Sequence, residues 1–113
     1  MDVEKFFKLT AEGKVYLERG LPEKNLVDFI NSNPRKSIKI EKAIAHVKNF
    51  PIALKWSMDK GWVDREGSEL ILFKMPKEIP EQDALDKVDK GKPIDENILN
   101  VLLQRKLVEK VIV

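Results

Sequence analysis

The sequence has 113 residues, enough for one ordinary domain or two very small ones, and at that length a core can form without covalent staples. Hydrophobic residues at 42% beside charged residues at 35% exclude a disordered polyelectrolyte, and the lack of cysteine excludes disulfides, thiolate metal sites and a cysteine nucleophile. The net charge of +2 is too small to argue for a nucleic-acid partner by itself.

Its distribution says more. Residues 32–61 carry seven Lys and Arg against two acids, a balance of +5, whereas residues 62–90 carry five against eight, a balance of −3. The N-terminus has two acids among its first four residues and no apolar run of signal-peptide length. No segment approaches the ~20 apolar residues that a membrane-spanning helix needs. These features predict a folded cytoplasmic protein.

In chain order, residues 6–9 have the composition of a strand, and Thr10 stands where its hydroxyl can cap a helix carrying Val15, Tyr16 and Leu17 on its apolar side. Gly20 stops that helix, and Leu21-Pro22 starts the next, since proline is tolerated at a first helical position. The second helix is predicted over residues 22–31, with Leu26, Phe29 and Ile30 sharing a face. Ser37 is placed to cap a third helix whose Ile40, Ala43, Ile44 and Val47 follow the spacing of one buried stripe.

After the break at Asn49-Phe50-Pro51 a fourth helix runs to Lys60 and ends at Gly61. Two helices joined by so short a turn form a helix-turn-helix. Trp62-Val63-Asp64 and Leu70-Ile71-Leu72-Phe73, separated by Arg65-Glu66-Gly67-Ser68, read as a β-hairpin. Farther on, residues 80–90 form a helix with Ala84, Leu85 and Val88 inward. Asp95 caps another bearing Ile98, Leu99, Leu102 and Leu103, and residues 107–113 have a strand composition. The predicted fold class is α+β, mainly helical: a winged helix-turn-helix of three helices and a hairpin wing, with partial winged-helix-like elements on either side. Residues 1–20 read as the end of a preceding module, 21–76 as the winged helix, and 77–113 as the helix-helix-strand start of a following module.

Catalysis finds no footing. No glycine-rich phosphate loop, nucleophile elbow or His-Glu-x-x-His pattern is present, and His46 is the one histidine. The acids Glu78, Glu81, Asp83, Asp86 and Asp89 read as a solvated helix face and not as a cation site. No catalytic and no metal-binding residues are therefore assigned.

The basic middle segment is the functional candidate, because lysine and arginine attract phosphates and release condensed counterions. Arg35, Lys36, Lys39 and Lys42, placed at the start of the third helix, form the first-choice cluster for a nucleic-acid backbone, with Lys55, Lys60 and the wing residue Arg65 beside them. On the fourth helix Phe50, Ala53, Leu54 and Ser57 turn inward, while Ile52, Lys55, Trp56 and Asp59 turn out. That outward set is poor in groups that meet base edges. Ile52 and Trp56 form instead a candidate apolar interface for a neighbouring module, with base stacking by Trp56 and plain burial as the other readings.

One stretch is more specific than any of these: Leu9-Thr10-x-Glu12-Gly13-x-x-Tyr16-Leu17-x-x-Gly20-Leu21-Pro22-Glu23. It resembles the N-terminal region of the archaeal and eukaryotic phenylalanine–tRNA ligase alpha subunits. Ala53-Leu54-x-Trp56-Ser57-x-x-Lys60-Gly61-Trp62-Val63 is similar to that family's second-module recognition helix and wing, with Ser57 where a small apolar residue is expected. The resemblance implies an accessory tRNA-binding winged-helix module of a cytoplasmic ligase that joins phenylalanine to its tRNA with ATP. It implies as partners tRNA, the ligase beta subunit and the remainder of the alpha subunit. None of the family's class II catalytic motifs occurs in this sequence, so this fragment is expected to be no enzyme by itself and to hold no cofactor. ATP and magnesium are expected in the parent's catalytic core. Two other classes fit the residues alone: a DNA-binding winged-helix transcription regulator, and a winged helix that docks on protein.

Overall fold

A computed structural model describes residues 7–111. The elements in order are β1 (Phe7–Leu9), α1 (Ala11–Arg19), α2 (Pro22–Asn31), β2 (Ser37–Lys39), α3 (Ile40–His46), α4 (Phe50–Asp59), β3 (Val63–Glu66), β4 (Glu69–Leu72), α5 (Pro80–Asp89), α6 (Glu96–Gln104) and β5 (Val108–Lys110). They group into two compact units. One is continuous, residues 21–78, and the other is assembled from the described residues on either side of it, 7–20 and 79–111. Phe6 and residues 112–113, which the sequence assigns to strands, lie outside the described residues.

The continuous unit has the helices and antiparallel sheet of a winged-helix-like fold. Leu26, Val27 and Ile30 of α2 are fully buried, as is Leu70 of β4, and each such side chain contributes about 1.5–3 kcal/mol of transfer free energy. β2, β4 and β3 form an antiparallel sheet in that spatial order, with Ile38 opposite Leu70, Val63 opposite Leu72 and Arg65 opposite Leu70. Because cross-strand partners share a face, Ile38, Leu70 and Val63 line the inner side, where all three are buried. The β3–β4 turn is two residues, Gly67-Ser68, with Gly67 at φ 59, so the strands run closer to the tip than the sequence suggests.

The short strand β2 is absent from the sequence reading. Ser37 is not a helix cap: it is the first residue of β2, and α3 begins only at Ile40 behind Lys39, whose side chain makes no capping bond. The apolar stripe of α3 is correspondingly weaker than its spacing suggests. Ala43 and Val47 are buried, but Ile44 is 57% exposed. A seven-residue helix flanked by a strand and a tight turn has one turn of contact with the core, and it buries one row instead of a band.

α4 follows Asn49, which takes the left-handed conformation at φ 58. Ser57, where an apolar residue is expected, is fully buried, and its hydroxyl donates to the Ala53 carbonyl at 2.6 Å, so the helix satisfies its own intruder. At the C-terminus Gly61 N–H donates to Met58 O and Trp62 N–H to Ser57 O, the paired bonds of a Schellman ending with Gly61 at φ 74. This ending turns the chain into β3 and buries Trp62.

In the discontinuous unit α1, α5 and α6 accompany an antiparallel pair in which Phe7, Lys8 and Leu9 face Lys110, Glu109 and Val108. The flanks that the sequence assigns to two different modules thus meet in one sheet. Thr10 closes the junction: its N–H donates to Leu107 O, its hydroxyl donates to Lys106 O at 2.8 Å, and the same oxygen accepts from Gly13 N–H at 3.1 Å. A Cβ on Gly13 would stand 2.1 Å from the Leu107 carbonyl oxygen, so only glycine fits that approach. Tyr16 is buried, its hydroxyl donates to Glu12 at 2.8 Å, and its carbonyl accepts from the Gln82 side chain at 3.0 Å.

Candidate nucleic-acid interface

All seven cations singled out in the sequence lie in the continuous unit, but they do not form one patch at the start of α3. Arg35 and Lys36 occupy the turn before β2. There Arg35 N–H donates to the Asn33 side chain at 3.0 Å, and Lys36 sits at φ 55 with its ammonium donating to Asn31 O at 2.6 Å. Lys39 ends β2 and Lys42 lies on α3, both exposed. A strand between the turn and the helix separates what the linear sequence groups together.

The sheet register sorts these charges further. On the outer face Lys39 stands opposite Glu69, and Glu69 stands opposite Glu66; in the next row Ser37, Ile71 and Asp64 are neighbours. The wing tip is therefore acidic, and Lys39 faces a carboxylate. Arg65 is held locally, its Nε donating to Gly67 O at 3.1 Å between the acids Asp64 and Glu66. Phosphate meets repulsion at this end of the sheet.

The other end differs. Leu72 N–H donates to Lys36 O at 2.9 Å, and Phe73 N–H donates to Trp62 O at 2.8 Å, followed by Lys74 N–H to the same oxygen at 3.2 Å. These bonds extend the sheet by one residue and bring the Arg35–Lys36 turn, the start of β3 and the end of β4 side by side. Lys60 joins them with its ammonium 5.2 Å from the centre of the Trp62 ring. Arg35, Lys36, Lys60 and Lys74 thus gather at the base of the sheet, away from the acidic tip.

Phe73 belongs to this group and is not among the site residues singled out in the sequence, where it is the last residue of a hairpin strand. β4 ends at Leu72, and Phe73 is 64% exposed. Four apolar residues in a row conceal which of them faces out; only the pairing register shows that Phe73 alternates with buried Leu70 and with Leu72. Lys74 is likewise a contributor the sequence reading leaves out.

The exposed side of α4 presents Pro51, Ile52, Lys55, Met58 and Asp59. Ile52 and Met58 are each a little over a third exposed, while Trp56 is half-buried and has the Lys55 ammonium 5.3 Å from its ring centre. One cation and one carboxylate on that face make a weak base-reading surface. His46 is exposed, stacks on Phe29 with ring centres 5.0 Å apart, and pairs Nδ1 with Lys42 O at 2.9 Å. Among the described residues, no group of three His, Asp or Glu side chains could hold a metal ion. No described helix is long and apolar enough to cross a membrane.

No protein-family model matches the chain. Individual proteins do. The chain is 35% identical over 109 residues to a phenylalanine–tRNA ligase alpha subunit of Archaeoglobus fulgidus, and 36% identical over 108 residues to that of Metallosphaera sedula. It is 31% identical over 107 residues to the alpha subunit of Saccharolobus solfataricus. Each match takes in 95–96% of this chain but 22–23% of the relative, so the chain spans about a fifth of the length of the curated relatives it matches.

Proposed function

We propose, from the premise that this chain is a relative of the phenylalanine–tRNA ligase alpha subunits, that it is an accessory tRNA-binding winged-helix region of such a subunit. The parent reaction is then the ATP-dependent attachment of phenylalanine to tRNA, carried out by parts that the matched fifth does not include. On this reading the beta subunit and the rest of the alpha subunit are its protein partners, and ATP and magnesium belong to the catalytic core.

The observation that carries tRNA as ligand is the segregation of charge. Residues 21–78 hold 11 Lys and Arg against 8 acids, a net of +3, while residues 7–20 and 79–111 together hold 9 against 9. Within the continuous unit Arg35, Lys36, Lys60 and Lys74 lie at the base of the sheet, around one end of β4. Lys42 and Lys55 add exposed charge on α3 and α4, whereas Lys39 and Arg65 face or flank carboxylates and contribute less. Backbone recognition of this kind gives affinity through counterion release and requires no base-reading helix. The α4 surface argues against a sequence-specific DNA regulator, since its exposed side carries a single cation among apolar and acidic groups.

The test is a titration of the chain with phenylalanine-accepting tRNA and with duplex DNA at two salt concentrations. The double substitution Arg35→Glu with Lys36→Glu is expected to weaken tRNA binding roughly tenfold or more and to lower the salt slope by about 2. Unchanged affinity in that variant sinks the proposal. The exposed Ile52 and Met58 support one other reading, a protein-docking face on α4. That reading requires loss of association with the rest of the alpha subunit on Ile52→Asp, with RNA binding absent throughout.

A further inference from the structure

Phe73 is the most exposed of the large hydrophobic side chains among the described residues, at 64%. Its backbone is nonetheless fixed. Its N–H donates to Trp62 O at 2.8 Å, the adjoining Leu72 N–H donates to Lys36 O at 2.9 Å, and Trp62 itself is buried with the Lys60 ammonium 5.2 Å above its ring. An exposed aromatic ring on hydrogen-bonded backbone just past β4, with Arg35 and Lys36 on one side, Lys60 on the other and Lys74 next in sequence, has the composition of a stacking platform. Such platforms combine a π-face with cations that track the phosphates. The nearest acid on the same face of the sheet is Asp64, one row toward the tip, where its carboxylate accepts from Arg65 N–H at 2.8 Å.

We infer that Phe73 stacks on an unpaired base of an RNA whose backbone is held by Arg35, Lys36, Lys60 and Lys74. The inference rests on the RNA-binding reading and adds to it a single-stranded or extruded nucleotide as the element recognised. A paired helix cannot offer a base face to a side chain at its flank, whereas a single-stranded loop or tail can. The cations favour this occupant over an apolar partner, because docking a protein surface on Phe73 would bury four positive side chains beside it.

The experiment measures binding of a short oligoadenylate, a blunt RNA duplex of equal length and phenylalanine-accepting tRNA to the whole chain and to variants whose melting is checked by circular dichroism. Phe73→Ala and Phe73→Leu are expected to lose about 5- to 50-fold in affinity for the oligoadenylate. Duplex binding is expected to stay unchanged. Phe73→Trp should keep the affinity, and its added indole emission should be quenched by the oligoadenylate. Wild-type affinity of Phe73→Leu for oligoadenylate, or no quenching in Phe73→Trp, overturns the stacking assignment. If the Arg35→Glu, Lys36→Glu variant still weakens all three RNAs in that case, the phosphate reading survives alone. Absence of RNA binding by the unaltered chain overturns both, and loss of protein association in Phe73→Ala with RNA binding intact identifies a docking surface instead.

Discussion

The two units contain similar parts, three helices with a small antiparallel sheet, and close them in opposite ways. In the continuous unit neighbours in sequence do the work: α4 runs through Gly61 directly into β3, and a two-residue turn returns the chain as β4. In the discontinuous unit the closing bond joins Thr10 to Lys106, 96 positions away. The comparison teaches where stability and function separate. The locally closed unit carries the excess positive charge and the exposed aromatic, whereas the described residues of the unit closed at long range are electrically neutral and carry most of the Leu9–Glu23 stretch on which the family resemblance rests. That motif, Leu9-Thr10-x-Glu12-Gly13-x-x-Tyr16, is structural: it caps α1, admits the Leu107 carbonyl and anchors Gln82.

The strongest challenge to this picture is Gly13→Ala. The added methyl has no room beside the Leu107 carbonyl oxygen, and that oxygen is also the acceptor for Thr10 N–H, so it cannot retreat without breaking the junction. A destabilisation of roughly 2–4 kcal/mol is expected, in the range of overpacking and lost backbone bonds. Both tryptophans, Trp56 and Trp62, lie in the continuous unit, and the one tyrosine, Tyr16, lies in the other. The expected melting curve therefore has far-ultraviolet dichroism falling before tryptophan fluorescence changes. If the two signals move together, the units unfold as one and the comparison fails.

Thr10→Ala should do less. It removes the hydroxyl that caps α1 and reaches Lys106 O but leaves the Thr10 N–H bond to Leu107 O in place. A loss of about 1–2 kcal/mol is expected, again confined to the discontinuous unit, and Thr10→Ser should recover most of it. A Thr10→Ala protein as stable as the original would mean that the strand pair β1–β5, and not the clasp, closes the unit.

Much of the fold was legible because its signals are local. Pro22 at a first turn, Gly20 and Gly61 at helix ends, and the hairpin glycine Gly67 each specify a backbone conformation within a few residues. β2 was not legible, since three residues with one buried side chain, Ile38, carry no periodicity; pairing with β4 makes them a strand. The union of residues 7–20 with 79–111 was hidden for a related reason, as antiparallel register between distant strands leaves no trace in either one alone. The candidate site suffered from the same gap. Arg35, Lys36, Lys39 and Lys42 look like a cluster in sequence, yet Lys39 stands opposite Glu69 in the sheet register, and the base of the sheet gains Phe73 and Lys74 from just past β4, more than thirty residues later.

The smallest expected effect sharpens the contrast between the ways helices end in the two units. α4 ends on Gly61 at φ 74, whereas α6 ends on Lys106 at φ 61, with Lys106 N–H donating to Leu103 O and Leu107 N–H to Leu102 O. The bond pattern is the same, but a side chain at positive φ costs about 1 kcal/mol that glycine does not incur. Lys106→Gly should therefore raise stability, by less than about 1 kcal/mol once the greater freedom of glycine in the unfolded chain is subtracted. The substitution leaves the carbonyl that accepts from Thr10 where it is, and it removes a charge far in sequence from the basic face of the continuous unit. A small upward shift of the dichroism transition, with tryptophan fluorescence and tRNA affinity unchanged, is the outcome that keeps stability in one unit and binding in the other. A drop in tRNA affinity would make the Lys106 ammonium an RNA contact and end the assignment of binding to the continuous unit alone.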